Sequence, residues 1–296
     1  YYSKVSDLAE PMRAFHNWIK LWLISTYGRG KEKVLDLACG RGGDFQKIFA
    51  NNPKLYVGVD QDIASLFQLK QSAINRYTAL KKSSEVPPAT FINADVSIPL
   101  YSESQKKAKL TVNNKTTTLL DKYLSGKIKY DFINCQFAVH YFFRDTDTLA
   151  GFLRNVNDHL AVDGYLVLTC FDGHLVERML NNKDSYTGYY FNTNGAKTKL
   201  FEIVKKYEND SDRLGRAIDV HNATIGDTHV TEYLVYPEDI IRALTSFPGI
   251  ELVETDTFLS FFETHRELFM RLGLADIPKI DYLPGTKNFE KIRTYY

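Results

Sequence analysis

A chain of 296 residues in which 44% are hydrophobic is long enough to bury a substantial core, as one large domain or two small ones, which excludes a disordered or fibrous polypeptide. A formal net charge of +1 excludes the strong positive field that gripping long stretches of nucleic acid would need, so any RNA contact is expected to be local. Cys39, Cys135 and Cys170 lack CxxC spacing, no apolar run approaches the roughly 20 residues that span a bilayer and no signal-type segment opens the chain, so the sequence predicts a soluble, cytoplasmic protein that is not secreted and holds no metal.

Residues 1–30 are expected to be a helical segment, in which Phe15-His-Asn-Trp-Ile-Lys20 occupies about a turn and a half and Trp18 and Trp22, four apart, form a packed stripe. The apolar run 33–39 predicts a buried parallel strand, followed at once by the glycine turn Gly40-Arg-Gly-Gly43 and a helix over 44–50. A second strand, 55–60, ends in Asp60, and an amphipathic stretch over 63–80 completes a βαβ unit. Further strands are predicted at 90–94, 131–137 and 165–170, with a helix over 147–160 ended by Asp163-Gly164, and such alternation predicts a doubly wound sheet. Between them the polar stretch 101–129 reads as an insertion outside the core, partly helical near 119–124. Residues 181–225 turn irregular before a strand at 229–236, a helix begun by Pro237, and a late strand over 250–261 expected to complete the sheet. The last two residues, Tyr295 and Tyr296, stand where a strand-like run begins, so the chain is expected to be a piece of a larger protein.

The glycine turn lets the backbone bend sharply and approach a ligand closely. Asp60, 20 residues beyond Gly40, suits a ribose diol, because a carboxylate accepts two hydroxyl hydrogen bonds at once. A nicotinamide enzyme would share these features, but position 45 is Phe, so the G-x-G-x-x-G spacing is absent. Asp36 inside the strand and Asp44 after the turn would repel a pyrophosphate and suit a zwitterion, which favours a methyltransferase. Asp95 ends the third strand, where it could receive an adenine amino group or simply cap the turn.

The fourth strand leads into Gln136-Phe-Ala-Val-His-Tyr-Phe-Phe143 at the carboxyl edge, where open α/β sheets bind ligands. A histidine such as His140 can donate a hydrogen bond and a carboxylate such as Glu232 can accept one or two. Taken singly, His140 equally fits a core histidine, Tyr141 and Phe142 fit buried aromatics, Glu232 fits a solvent-facing strand position, and Lys20 fits a surface lysine.

In order along the chain, FHNWIK, VLDLACGRGGD, the GVD strand end, the turn at Asn93-Ala-Asp95, QFAVHYFF and TEYLV resemble the motifs of cap guanine-N7 methyltransferases. The details are most similar to the methyltransferase domain of capping enzymes from large cytoplasmic DNA viruses of the African swine fever virus or poxvirus kind. That resemblance implies a class I Rossmann-like α/β fold with a doubly wound, mostly parallel seven-stranded sheet. It implies one methyltransferase domain over 1–296, with a donor-binding core at 31–172 and a cap-binding lobe at about 175–236. S-adenosylmethionine is implied as cofactor, held by Lys20, Asp36, Gly40, Asp44, Asp60, Gln61, Asp95, Val96, Gln136 and Tyr141. His16, Asn17, His140, Tyr141, Glu232 and Tyr296 are implied to meet the capped mRNA end, although other members often carry Asn where His16 stands and Tyr296 falls where the chain stops. Triphosphatase and guanylyltransferase domains are implied in the same polypeptide, in a viral factory or virion; no guanylylation motif K-x-D-G occurs here.

Guanine N7 carries a lone pair and no proton, so no general base or catalytic dyad is expected, and His140, Tyr141 and Glu232 would act by positioning. The competing expectations are a methyltransferase acting on another RNA position or a small molecule, and a non-catalytic methyltransferase-like subunit that stimulates a partner.

Overall fold

Short, mainly apolar runs become five parallel strands: β1 Lys33–Leu37, β2 Leu55–Asp60, β3 Ala89–Asn93, β4 Tyr130–Gln136 and β5 Leu160–Thr169, ordered β3-β2-β1-β4-β5. The computed structural model describes residues 10–108, 113–191, 197–222 and 228–271. These divide into two compact units, one running from Lys20 to Thr169, the other formed by residues 10–19 and 170–271.

The first unit holds the parallel sheet. Strand order reverses between β1 and β4, the switch point at which such sheets open a crevice at their carboxyl ends. Helix α1 (Glu10–Tyr27) contributes its second half to this unit, followed by α2 (Phe45–Phe49), a π turn at Ala64–Gln68 and α3 (Ala73–Ser83). The amphipathic stretch 63–80 is therefore two pieces, separated where the chain becomes extended at Leu69. Phe45, Phe49, Tyr56, Phe91 and Phe132 pack with Ile24 and Val34 into one core, and Phe45 stacks on Phe49 at 5.3 Å.

The insertion 101–129 is not outside the core. It folds into α4 (Ser102–Lys107) and α5 (Asn114–Tyr123), and Gln105, Leu120 and Leu124 are fully buried, because α5 presents Thr116, Leu120 and Leu124 on one side at helical spacing. A 3₁₀ turn at Val139–Arg144 then leads into α6 (Thr146–His159), opened by a capping box in which Asp145 Oδ1 accepts from the Thr148 amide at 2.8 Å. The strand after α6 begins at Leu160, five residues ahead of expectation, because Tyr130 pairs with Leu160 and the register then shifts so that Phe132 pairs with Tyr165.

In the second unit, α7 (Gly173–Leu180) precedes an antiparallel sheet β6-β7-β8-β9 made of Ser185–Phe191, Lys197–Lys205, Ala217–Asn222 and Val230–Tyr233. The segment read as irregular is thus mostly strand: Leu200, Phe201 and Ile203 and, in β8, Ile218 and Val220 pack on Phe171, Val176 and Leu180, while the other face keeps its Lys, Glu and Asp residues wet. Then come α8 (Pro237–Thr245) and α9 (Phe258–Arg271). Phe15 and Trp18, from the first half of α1, meet Phe262 edge-on at 5.5 and 4.8 Å.

Two expectations are corrected here. No ladder forms over 250–256, where Leu252 and Val253 are exposed between Glu251, Glu254 and Asp256, and the Phe258, Phe261 and Phe262 spacing makes a helix rather than a late strand. Among the described residues the parallel sheet accordingly has five strands, not seven. The doubly wound α/β class itself holds, and no helix of the described residues is long and apolar enough to cross a membrane.

Candidate functional site

The ends of β1 to β4 place the predicted donor-binding residues side by side. After β1, Gly40 takes φ 54° and Gly42 φ 71°, a left-handed backbone, and a Cβ on Gly42 would lie 2.1 Å from the Phe45 ring. Beside Gly40 and Gly43 the space is open, as a ligand lying on the turn requires. The Gly40 amide donates to Asp60 Oδ2 at 2.7 Å and the Asp62 amide to Asp60 Oδ1 at 2.8 Å. Each carboxylate oxygen keeps one acceptor position, enough for the two hydroxyls of a ribose. Burial raises the Asp60 pKa, against the pull of those two amides.

Asp36 is buried and closes a chain of hydrogen bonds across four strands. Tyr56 Oη donates to its Oδ2 at 2.6 Å and Asn134 Nδ2 to its Oδ1 at 2.8 Å. Gln136 Nε2 donates to Asn134 Oδ1 at 2.8 Å, and Thr169 Oγ1 to Gln136 Oε1 at 2.8 Å. Burial, helped by the nearby Asp44 charge, lifts Asp36 to about 7 despite both donors. Tyr56, Asn134 and Thr169 are polar partners that sequence reasoning missed, since each stands between apolar neighbours in its strand.

Lys20, which taken singly fits a surface lysine, is nearly buried and pairs with Asp44 Oδ1 at 2.8 Å; Lys47 reaches the same oxygen at 3.0 Å. Although burial acts against its charge, the two ammoniums hold Asp44 below its ordinary pKa. At Lys47 burial outweighs the carboxylate and the pKa falls. With Asp36 beside it, Asp44 makes this end a cluster that carries both signs of charge.

Asp95 Oδ1 accepts from the Ser97 amide at 2.8 Å, the turn-capping geometry, and Val96 is buried beside it. Gln61 is exposed, and its carbonyl accepts from Asn93 Nδ2 at 2.8 Å, which ties the ends of β2 and β3 together.

His140 is buried, which pushes its pKa down to about 3, so it is neutral and offers one N–H donor and one acceptor. Its ring meets Tyr141 edge-on at 4.3 Å, and Tyr141 is 37% exposed, so the buried-aromatic reading fits Phe142 and not Tyr141. In the second unit Glu232 is 5% exposed, which overturns a solvent-facing position, and burial lifts its pKa to about 8. His16 is buried against Phe258, at 5.8 Å, whereas Asn17 is exposed. Tyr296 lies outside the described residues.

A sheet ordered 3-2-1-4-5, a glycine turn after its first strand and acids after its second and third define a Rossmann-like methyltransferase. The CcbJ methyltransferase from Streptomyces caelestis has the same fold, with TM-score 0.50 at 14% identity over 83% of this chain and 80% of that one. Residues 4–272 match the family model of the mRNA (guanine-N(7))-methyltransferase domain. A probable mRNA-capping enzyme of Acanthamoeba polyphaga mimivirus is 40% identical over the whole of this chain, which spans 25% of that enzyme. The mRNA cap guanine-N(7) methyltransferase of Saccharomyces cerevisiae is 26% identical over 85% of this chain and 53% of that protein. The chain belongs to the mRNA (guanine-N(7))-methyltransferase domain family, whose methyl donor is S-adenosylmethionine.

Proposed function

We propose that this chain transfers the methyl group of S-adenosylmethionine to guanine N7 of a GpppN mRNA cap, within a capping enzyme of the large DNA virus kind. The observation that carries the donor half is the convergence of Gly40, Asp60, Asp95 and Gln136 at the carboxyl ends of four adjacent parallel strands. Asp60 would take the ribose hydroxyls, and Asp95 with the Val96 amide the amino group and N1 of adenine. Gln61 would flank the ribose. Lys20, Asp44 and Asp36 would meet the zwitterionic methionine end, with Lys20 suited to its carboxylate and Asp36 to its ammonium. Gln136 and Tyr141 complete that pocket.

For the acceptor, neutral His140 would donate to guanine O6 and Glu232 would accept from N1–H and N2–H₂, with Tyr141 against the base and His16, Asn17 and Tyr296 toward the cap ribose and phosphates. The donor supplies a methyl carried on a sulfonium. Because N7 needs no deprotonation, these residues act by orientation, which can supply on the order of 7 kcal/mol or more of a barrier. The residues 1–296 then form one methyltransferase domain with its core at 31–172 and cap lobe at about 175–236, joined in the full polypeptide to triphosphatase and guanylyltransferase domains and working in the cytoplasm, in a viral factory or virion. With methyl-labelled S-adenosylmethionine, label should pass to GpppA-RNA and not to pppA-RNA or an already N7-methylated cap. Transfer to pppA-RNA would overturn this assignment in favour of another RNA position, and no donor binding at all would favour a stimulatory subunit.

A further inference from the structure

The chain after β3 turns through residues 95–100, and two buried amide side chains hold that turn. Gln105, on α4 and fully buried, accepts from the Asp95 amide at 3.0 Å through Oε1 and donates to the Asp95 carbonyl at 2.8 Å through Nε2. Asn155, on α6 and likewise buried, donates to the carbonyls of Val96 and Ile98, each at 2.9 Å, and accepts from the Leu100 amide at 2.8 Å. Behind the turn, a Cβ on Gly151 would stand 2.0 Å from the Ser97 carbonyl, so the helix and the turn are in direct backbone contact.

The two clamps differ in what they fix. Asn155 satisfies the far side of the turn. Gln105 pairs with both backbone groups of Asp95, and its Nε2 also reaches the Ile98 and Pro99 carbonyls at 3.3 Å, so it fixes the rotation of Asp95 about its own backbone, and with it the direction of the carboxylate, against the far side of the turn. Asp95 Oδ1 is already committed to the Ser97 amide, which leaves Oδ2 as the oxygen whose aim this rotation sets.

We infer that Gln105 is a positioning residue for the donor: by clamping the Asp95 backbone it aims Oδ2 and the Val96 amide at the Watson–Crick edge of adenine, and so sets both donor affinity and adenine selectivity. This rests on the proposed placement of adenine at Asp95. It gives the insertion 101–129 a function, since α4 is where the clamp is carried.

The test is calorimetric binding of S-adenosylhomocysteine and of its deaminated analogue S-inosylhomocysteine, in which the 6-amino group is replaced by a carbonyl. Wild type should discriminate strongly for the adenine form. Gln105→Met loses both hydrogen bonds to Asp95 and should bind S-adenosylhomocysteine roughly tenfold or more weakly, with the ratio between the two ligands reduced by a similar factor. Gln105→Glu keeps the acceptor for the Asp95 amide and sets a carboxylate against its carbonyl; it should fall between the two, and it carries the test if Gln105→Met does not fold. Glu103→Ala, on the exposed side of α4, should match wild type. A weaker but equally selective Gln105→Glu would mean a merely structural role and would overturn the inference, as would a Gln105 variant that binds and discriminates like wild type. Failure of wild type to bind S-adenosylhomocysteine, by contrast, would overturn the placement of adenine itself.

Discussion

The Tyr56 hydroxyl donates to Asp36 Oδ2 across 2.6 Å, inside the sheet and one strand away from the glycine turn. Both residues are buried, and the contact makes the protonation state of Asp36 depend on a neighbouring phenol. Burial raises Asp36 from 3.8 to about 7, so the stability it contributes is full below 3.8 and is lost as pH rises through about 7.

Tyr56→Phe removes a donor that favours the ionised carboxylate. The Asp36 pKa should rise further, and binding of S-adenosylhomocysteine, whose ammonium prefers the ionised form, should require higher pH than in wild type. Denaturant unfolding should show a loss of about 1–3 kcal/mol from the broken buried hydrogen bond. Superimposable pH profiles of binding for the two proteins would remove Asp36 from the methionine end.

Asp44 serves two ammoniums, which makes its loss different in kind from theirs. Asp44→Asn leaves Lys20 and Lys47 facing each other nearly buried, at a cost on the order of 3 kcal/mol, whereas Lys20→Met or Lys47→Met leaves one pair intact and should cost nearer 1 kcal/mol. Chemical denaturation of the three variants measures this order. Equal losses would show that the lysines do not share the carboxylate in solution.

On the proposed assignment, Glu232 should carry the pH dependence of the acceptor side. Its pKa is raised from 4.5 to about 8 by burial, so its contribution to stability is full below 4.5 and is lost as pH rises through about 8. Guanine N1–H and N2–H₂ require the ionised form, so kcat/KM for cap should climb with pH through about 8, above the Asp36 titration at about 7 that governs the affinity for S-adenosylhomocysteine. Glu232→Gln should flatten that climb, lower cap methylation and make the protein more stable than wild type at alkaline pH. A climb that persists in the glutamine variant would assign it to another group.

Gly151→Ala drives a methyl into the Ser97 carbonyl, 2.0 Å from where its Cβ would stand, and backbone on both sides leaves little room to yield. Overpacking of this kind costs about 1–3 kcal/mol, and the displaced turn should weaken S-adenosylhomocysteine more than cap. Unchanged donor affinity would separate the turn from the donor pocket.

Much of the fold, and the gathering of Gly40, Asp60 and Asp95 at one sheet edge, was legible in the sequence because parallel strands buried on both faces are read as continuous apolar runs. The glycine turn and the acids Asp60 and Asp95 sit at the ends of such runs, where punctuation is strongest. What escaped was polar pairing between elements far apart in sequence. Asn134 lies in an apolar strand, and only the pairing of β1 with β4 brings it against Asp36; Gln105 looks like solvent-facing helix until Asp95 is placed beside it. The antiparallel sheet was hidden for another reason. One of its faces is wet, so the Tyr, Thr and Lys of β6 and β7 read as loop. At 250–256 the opposite error arose, since a short apolar pair among acids imitates a strand without a partner to make one.

The most direct measurement is the position of the transferred methyl. After single-turnover reaction of the chain with labelled S-adenosylmethionine and GpppA-RNA, nuclease digestion should release all the label as N7-methylguanosine. Label on a ribose hydroxyl, on adenine or on guanine at any other atom would contradict the placement of the base against His140 and Glu232.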